Sequence, residues 1–498
     1  MFPRTRHTML RHHALALLLL VAAATRLPAD DPATPGKKRP NILFIAVDDL
    51  RPELGCYGTR AVTPHLDRLA ASGLKFDRAY CNQAVCGASR VSLMTGLYPE
   101  HTGERTYHVT GWRKRWATTV TLNQHFTQNG YTTIGLGKIY HGKSGAGVDP
   151  DNWTQWVKVG GKEYGDPDSL KNPRKRNGRS RGPATESADI PDTSHFDGNR
   201  ARIGATRLKK LAKSGKPFFL AVGFTKPHLP FTAPRKYWDL YKRSQFRLPK
   251  NLGIPPGYPQ FARNRNAGEL RSYKDIPLQG TPDKFPVELS QRLIHGYHAC
   301  ASYTDRNVGV LLEALKTSGA ADNTIVVFWA DHGWKLGDHS SWCKHTNFEC
   351  DTRVPLIIHH PRMPSVTGNT DALVELIDLY PTLCDLCGLD RPKHLQGKSL
   401  VPVLKDPSTS FRRSAYSSYP HGRGRGRTRV VGHSIRTDRH RYTEWWDQKT
   451  DKPVARVLTD ITADPGETTS VTDRQSLQAM LSGQLRNRVL SVRKPRAR

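Results

Sequence analysis

Cysteine is scarce: eight residues in a chain of 498, too few to build a disulfide scaffold, although an oxidising compartment would permit a bridge or two. Cys343 with Cys350 and Cys384 with Cys387 are the spacings that allow one, and the latter pair, i and i+3 in an apolar stretch, reads better as small core residues. Acidic residues are outnumbered, 44 Asp and Glu against 76 Lys and Arg, which leaves a net charge of +32. Such a surface attracts polyanions, nucleic acid or sulfated polysaccharide, and loses that attraction as salt rises. Long apolar runs are missing beyond residue 24; nothing there approaches the ~20 residues a membrane span requires. No internal repeat is present.

The N-terminus carries Arg4, Arg6 and Arg11 ahead of the apolar run 14–24 and a Pro-rich acidic stretch, the layout of a secretory signal over residues 1–29. A secreted or periplasmic protein without a membrane span is expected, and export disfavours nucleic acid as the partner. The length exceeds what one core usually serves, so a catalytic unit over 38–405 and a smaller antiparallel unit over 406–498 are expected. The basic runs Lys171 to Arg181 and His421 to Arg427 read first as solvated loops.

Four short apolar runs share one design, and each reads as a buried parallel strand. Asn41 to Val47 ends in Asp48 and Asp49; Tyr131 to Gly137 is followed by Lys138 and His141. Phe218 to Phe224 is followed by Lys226 and His228, and Thr324 to Ala330 by Asp331 and His332. Helices lie between them, as at Thr63-Pro64 to Gly73, with an N-cap residue, a proline at the first helical position and an exit glycine. The fold class is α/β, and ligands of such sheets bind beyond the carboxyl ends of the strands, so the four polar ends converge on one site if the strands are neighbours. Residues 150–191 and 248–286, polar and rich in Pro and Gly, read as surface insertions near it. The stretch Gly137 to Ser144 matches a phosphate-loop pattern, but its bulky Ile139 and Tyr140, and the glycines where a helix should begin, argue against a nucleotide loop.

Cys86-Gly87-Ala88-Ser89-Arg90, with Thr95-Gly96 beyond it, resembles the signature C-x-P-S-R-x-x-x-x-T-G of the sulfatase family, with Ala88 where proline is commoner. The four strand ends accompany it, as do Trp342-Cys343-Lys344, Leu373 to Leu376 and Gly432 to Thr437, and the likeness runs from Asn41 to about Asp473. It is nearest to members acting on 2-sulfated uronic acids. The resemblance implies an alkaline-phosphatase-like fold: a large, mainly parallel mixed sheet between helices, and a smaller C-terminal antiparallel subdomain. It implies that Cys86 is oxidised to formylglycine by a sulfatase-maturing enzyme, and that the hydrated aldehyde attacks sulfur. Asp48, Asp49, Asp331, His332 and the Cys86-derived oxygen would hold Ca²⁺, with Mg²⁺ the alternative; hard carboxylate oxygens suit either ion, and no cysteine pair or histidine triple lies in these motifs to favour zinc. Arg90, Lys138 and Lys344 would hold formylglycine and sulfate oxygens, His228 or Lys344 would protonate the leaving alcohol, and His141 would take the proton that releases sulfate. The implied partner is a sulfated oligosaccharide or polysaccharide. The rivals are a phosphate or phosphonate monoester hydrolase on the same fold, and a non-catalytic binder of sulfated glycans whose Cys86 stays a thiol.

Overall fold

The computed structural model describes residues 38–493 apart from 107–108, 110, 143–148, 177, 263, 265–266, 364–366 and 422–428. The expected signal segment, Lys143 and Ser144 of the phosphate-loop match, and all of the second basic run except His421 lie outside the described residues.

A sheet of nine strands runs in the order Gly368–Thr370, Leu74–Tyr80, Arg353–His359, Thr324–Ala330, Asn41–Val47, Phe218–Gly223, Thr132–Gly137, Gln155–Val157, with Val374–Glu375 also pairing with Leu74–Tyr80. The four apolar runs occupy adjacent places, and all three pairings among them are parallel. Every residue of Asn41–Val47, Phe218–Gly223 and Thr324–Ala330 is buried. That is why their apolar character is continuous rather than alternating. Arg353–His359 runs antiparallel to both its neighbours, which makes the sheet mixed.

The helices fall into two groups. Pro64–Ser72 and Phe196–Lys213 both pack on Val287–Thr317, while Leu122–Gln128 and Leu379–Leu386 flank Cys86–Thr95. Helix Pro64–Ser72 has the expected bounds, but its capping differs from the expected pattern: the Thr63 hydroxyl takes the Gly55 N–H and donates to Asp67, while Asp305 accepts the N–H groups of His65 and Leu66.

Beyond residue 406 a separate antiparallel meander is built from Ala415–His421, Val430–Arg436, His440–Asp447 and Pro453–Asp460. Helix Gln475–Arg493 inserts Leu481, Leu485, Val489 and Val492 against Tyr416, Ile435, Tyr442 and Leu458, in a cluster that also holds Tyr98 and Ile377. All eight cysteines are free, and Cys384 and Cys387 sit in the main core. No helix among the described residues is long and apolar enough to cross a membrane.

Candidate active site

The carboxyl ends of the four parallel strands lie side by side, and close backbone approach sets their spacing. Gly137 adopts φ +76, and a Cβ there would lie 2.1 Å from the Gly223 carbonyl oxygen; a Cβ on Gly223 would lie 2.2 Å from the Lys138 backbone. Only glycine fits either position, so the chain turns at once and delivers Lys138 over the neighbouring strand.

Helix Cys86–Thr95 is buried along its whole length, begins with Cys86 and ends at Gly96 in the left-handed region. The buried Arg90 guanidinium braces the strand ends: Nε donates to Asp331 Oδ2 at 2.7 Å, and the terminal nitrogens reach the carbonyls of Lys138, Ile139 (3.2 Å) and Val47 (3.3 Å). Ser89 Oγ adds a 2.6 Å bond to the Asp331 carbonyl. Three separate strands are thereby tied to one helical turn.

Asp48, Cys86, Asp331 and His332 offer one ligand atom each within 4.8 Å of one another. His332 Nδ1 faces the Gly333 carbonyl at 3.0 Å and Nε2 faces Cys86 Sγ at 3.2 Å. A ring nitrogen opposite a carbonyl donates, which leaves Nε2 with the lone pair a metal takes. Asp48 Oδ1 is buried and accepts no hydrogen bond among the described residues. Two carboxylates, one of them with this unused oxygen, and an imidazole lone pair fit a hard divalent cation. Asp49, expected in the same ligand set, groups instead with His228 and Glu269. Its positive φ of 58 turns the side chain toward Lys344, which it binds at 2.8 and 3.0 Å, although His332 Nδ1 stays 3.5 Å away.

The cations flank this cluster. Lys138 makes a short ion pair with Asp48; burial alone would raise the Asp48 carboxyl, but Lys138, His228 and Arg90 hold it well below the ordinary range. Burial alone would lower Lys344, but Asp49, Cys86, Glu269 and Asp48 together raise it well above its usual value. His228 points Nδ1 at the Leu229 carbonyl (2.6 Å) and Nε2 at Glu269 (2.8 Å). Both nitrogens face acceptors, an arrangement that favours the doubly protonated ring; burial lowers its pKa, but Asp49 and Glu269 raise it above the ordinary value. His141, by contrast, is brought down to about 3 by burial and Lys138, and is uncharged at neutral pH. Burial, with Asp48 beside it, pushes the Cys86 thiol well above its ordinary value; an unmodified thiol there is a poor nucleophile at neutral pH.

Sequence reasoning missed Glu269. It lies in the insertion 248–286, where nothing in the local pattern sets it apart, and only the fold brings its second oxygen to 3.0 Å from Lys344 Nζ. The insertion 150–191 reaches the sheet as well, through the edge strand Gln155–Val157.

Comparison with known proteins agrees with this geometry. The family model described as Sulfatase matches residues 40–389, and that described as N-sulphoglucosamine sulphohydrolase, C-terminal matches residues 337–495. The chain is 31% identical to iduronate 2-sulfatase of Homo sapiens over 491 residues, covering 86% of this chain and 89% of the relative. Among solved structures, a 2-O glycosaminoglycan sulfatase superposes with TM-score 0.70 at 21% identity, covering 92% of this chain and 93% of the other. The phosphonate monoester hydrolase of Agrobacterium radiobacter gives TM-score 0.67 at 22% identity, over 91% and 95%.

Proposed function

This chain belongs to the sulfatase family and is a sulfuric ester hydrolase, and we propose that it is exported, in secreted or periplasmic form, and removes sulfate from a 2-sulfated uronic acid in an acidic glycan. The observation that carries the substrate is the likeness to iduronate 2-sulfatase over nearly the whole chain. The net charge of +32 supports a polyanion over a small neutral ester.

Formylglycine made from Cys86 supplies a hydrated aldehyde whose hydroxyl serves as nucleophile. Asp48, Asp331, His332 and the residue at 86, with Asp49 beside them, would hold calcium, which when bound would supply Lewis acidity toward that hydroxyl and the sulfate oxygens. Residue 86 stands at the first turn of its helix, where the dipole favours developing negative charge. Lys138 and Lys344, fixed by Asp48 and Asp49, neutralise charge on the transferring oxygens. His228 or Lys344, both held by Glu269, gives the proton to the departing alcohol oxygen. His141, neutral because burial keeps it so, takes the proton whose loss releases sulfate and restores the aldehyde.

The test is mass spectrometry of the Cys86 peptide, followed by turnover of a disaccharide with a terminal 2-sulfated uronic acid against its 6-sulfated isomer. An aldehyde and preference for the 2-sulfate are expected. A thiol in active-site peptide from the native host would favour a non-catalytic binder, and faster cleavage of a phosphonate monoester would favour the hydrolase alternative.

A further inference from the structure

Beside the site, the first basic run folds into a hairpin, Arg174–Arg176 against Arg179–Arg181. It forms one wall of a pocket of about 440 Å³ lined by Arg174, Lys175, Arg176, Gly268, Arg271 and Leu278. Four of these six residues are cations. Nearby carboxylates are taken elsewhere: Glu163 by Arg181 at 3.4 Å, Asp275 by Arg292 at 2.7 Å, and Glu269 by His228 and Lys344. Among the described residues no carboxylate pairs with a cation of this pocket.

The arginines are held by backbone carbonyls, which fix a guanidinium without cancelling its charge. Arg174 donates to the carbonyls of Arg271 (2.9 Å), Ile276 (2.9 Å) and Lys274 (3.0 Å), and Arg176 to that of Gly268 (3.0 Å). Arg271 donates to the carbonyls of Leu278 (2.6 Å) and Gly280 (2.5 Å), while its Nε is buried with no hydrogen-bond partner. Cations fixed in this way lose little further freedom when an anion arrives. The pocket also adjoins the chemistry: Gly268 lines it, Glu269 next in the chain holds His228 and Lys344, and Arg271 is two residues on, at most about 7 Å of chain.

We propose that this pocket is an anion subsite, which takes the sulfate or carboxylate of the sugar next to the one being desulfated. The proposal rests on the glycan reading above, and gives the basic hairpin the task of selecting chains whose neighbouring unit is charged.

The test compares wild type with the double variant Lys175→Ala, Arg176→Gln, which leaves the Arg174 tether in place. On a sulfated heparin-type tetrasaccharide, kcat/KM is expected to fall about 10-fold, the equivalent of ~1.4 kcal/mol, chiefly through KM. On 4-nitrocatechol sulfate, too small to reach the pocket, kcat/KM is expected to stay unchanged. The salt dependence of the tetrasaccharide rate should become shallower in the variant. Tetrasaccharides desulfated, or carboxyl-reduced, on the neighbouring unit distinguish the two anions: the one that matters is the one whose removal from the substrate abolishes the difference between the proteins. Equal tetrasaccharide kinetics for the two proteins, or equal losses on both substrates, would overturn the subsite. Calorimetric binding of the same tetrasaccharide to Cys86→Ala protein, with and without the double change, needs no turnover. Weaker binding in the triple variant upholds the subsite even if the wild type proves inactive on glycans; equal binding, or none to either, rejects it.

Discussion

The Glu269 carboxylate stands 2.8 Å from His228 Nε2. With the Leu229 carbonyl on the other nitrogen, it fixes both the charge and the plane of the imidazole. Its second oxygen fixes Lys344, so one side chain orients both candidate proton donors. Glu269→Gln keeps the shape and removes the charge. It should lower kcat/KM on an aryl sulfate about 10- to 100-fold, within the range general acid catalysis supplies, with unchanged thermal melting. A wild-type rate in Glu269→Gln would show that His228 and Lys344 do not depend on it.

Cys86→Ala should abolish hydrolysis while the fold survives. Residue 86 opens a helix, where alanine is well tolerated, and the change removes the thiol that faces His332 Nε2 without disturbing the Arg90 brace. Residual turnover of a few per cent in a clean preparation would rule out a nucleophile derived from Cys86.

Asp331 accepts from Arg90 and from the backbone N–H groups of Asp49 and His332. Asp331→Asn retains an oxygen for the N–H groups but sets an amide N–H₂ against Arg90. It should therefore lose activity and bound calcium together, and lose stability by about 3 kcal/mol or more, as when a buried ion pair is broken. Elemental analysis checks the metal and denaturant melts check the stability; stoichiometric zinc in the wild type would overturn the assignment to calcium.

The C-terminal meander is latched to the main unit by Arg441, which is buried between Glu349 and Glu467. Burial would raise the Glu349 carboxyl, but Arg441 and Arg436 bring it from 4.5 down to about 2; at Glu467 burial prevails and lifts it from 4.5 to about 7. The depressed carboxyl gives stability that is complete above its unfolded value of 4.5 and is lost as the pH falls through about 2. The raised one gives stability that is complete below 4.5 and is lost as the pH rises through about 7. Arg441→Met should cost about 3–5 kcal/mol at neutral pH. Glu467→Gln should melt above the wild type at pH ~8, with the gap closing by pH ~5; a gap that widens toward acid would reverse this assignment.

The sequence by itself determined the strands of the centre. A strand buried on both faces must be apolar throughout, so Asn41–Val47 and Thr324–Ala330 could be read off residue by residue, and the polar residues after them had to be the site. The edges of the sheet were less legible. Leu74–Tyr80 mixes buried with half-buried positions, and Gln155–Val157 is only half covered, so neither has a continuous apolar run. Tertiary structure alone decided the strand order, since no local pattern states which strand pairs with which. It decided too that Arg90 ties three strands together, that Asp49 faces Lys344 while Asp48 faces the candidate metal cluster, and that Glu269 arrives from an insertion without secondary structure of its own at that point. Each is a contact between residues far apart in the chain, fixed by the packing of buried charges, and a buried charge takes as its partner whatever the fold brings within reach.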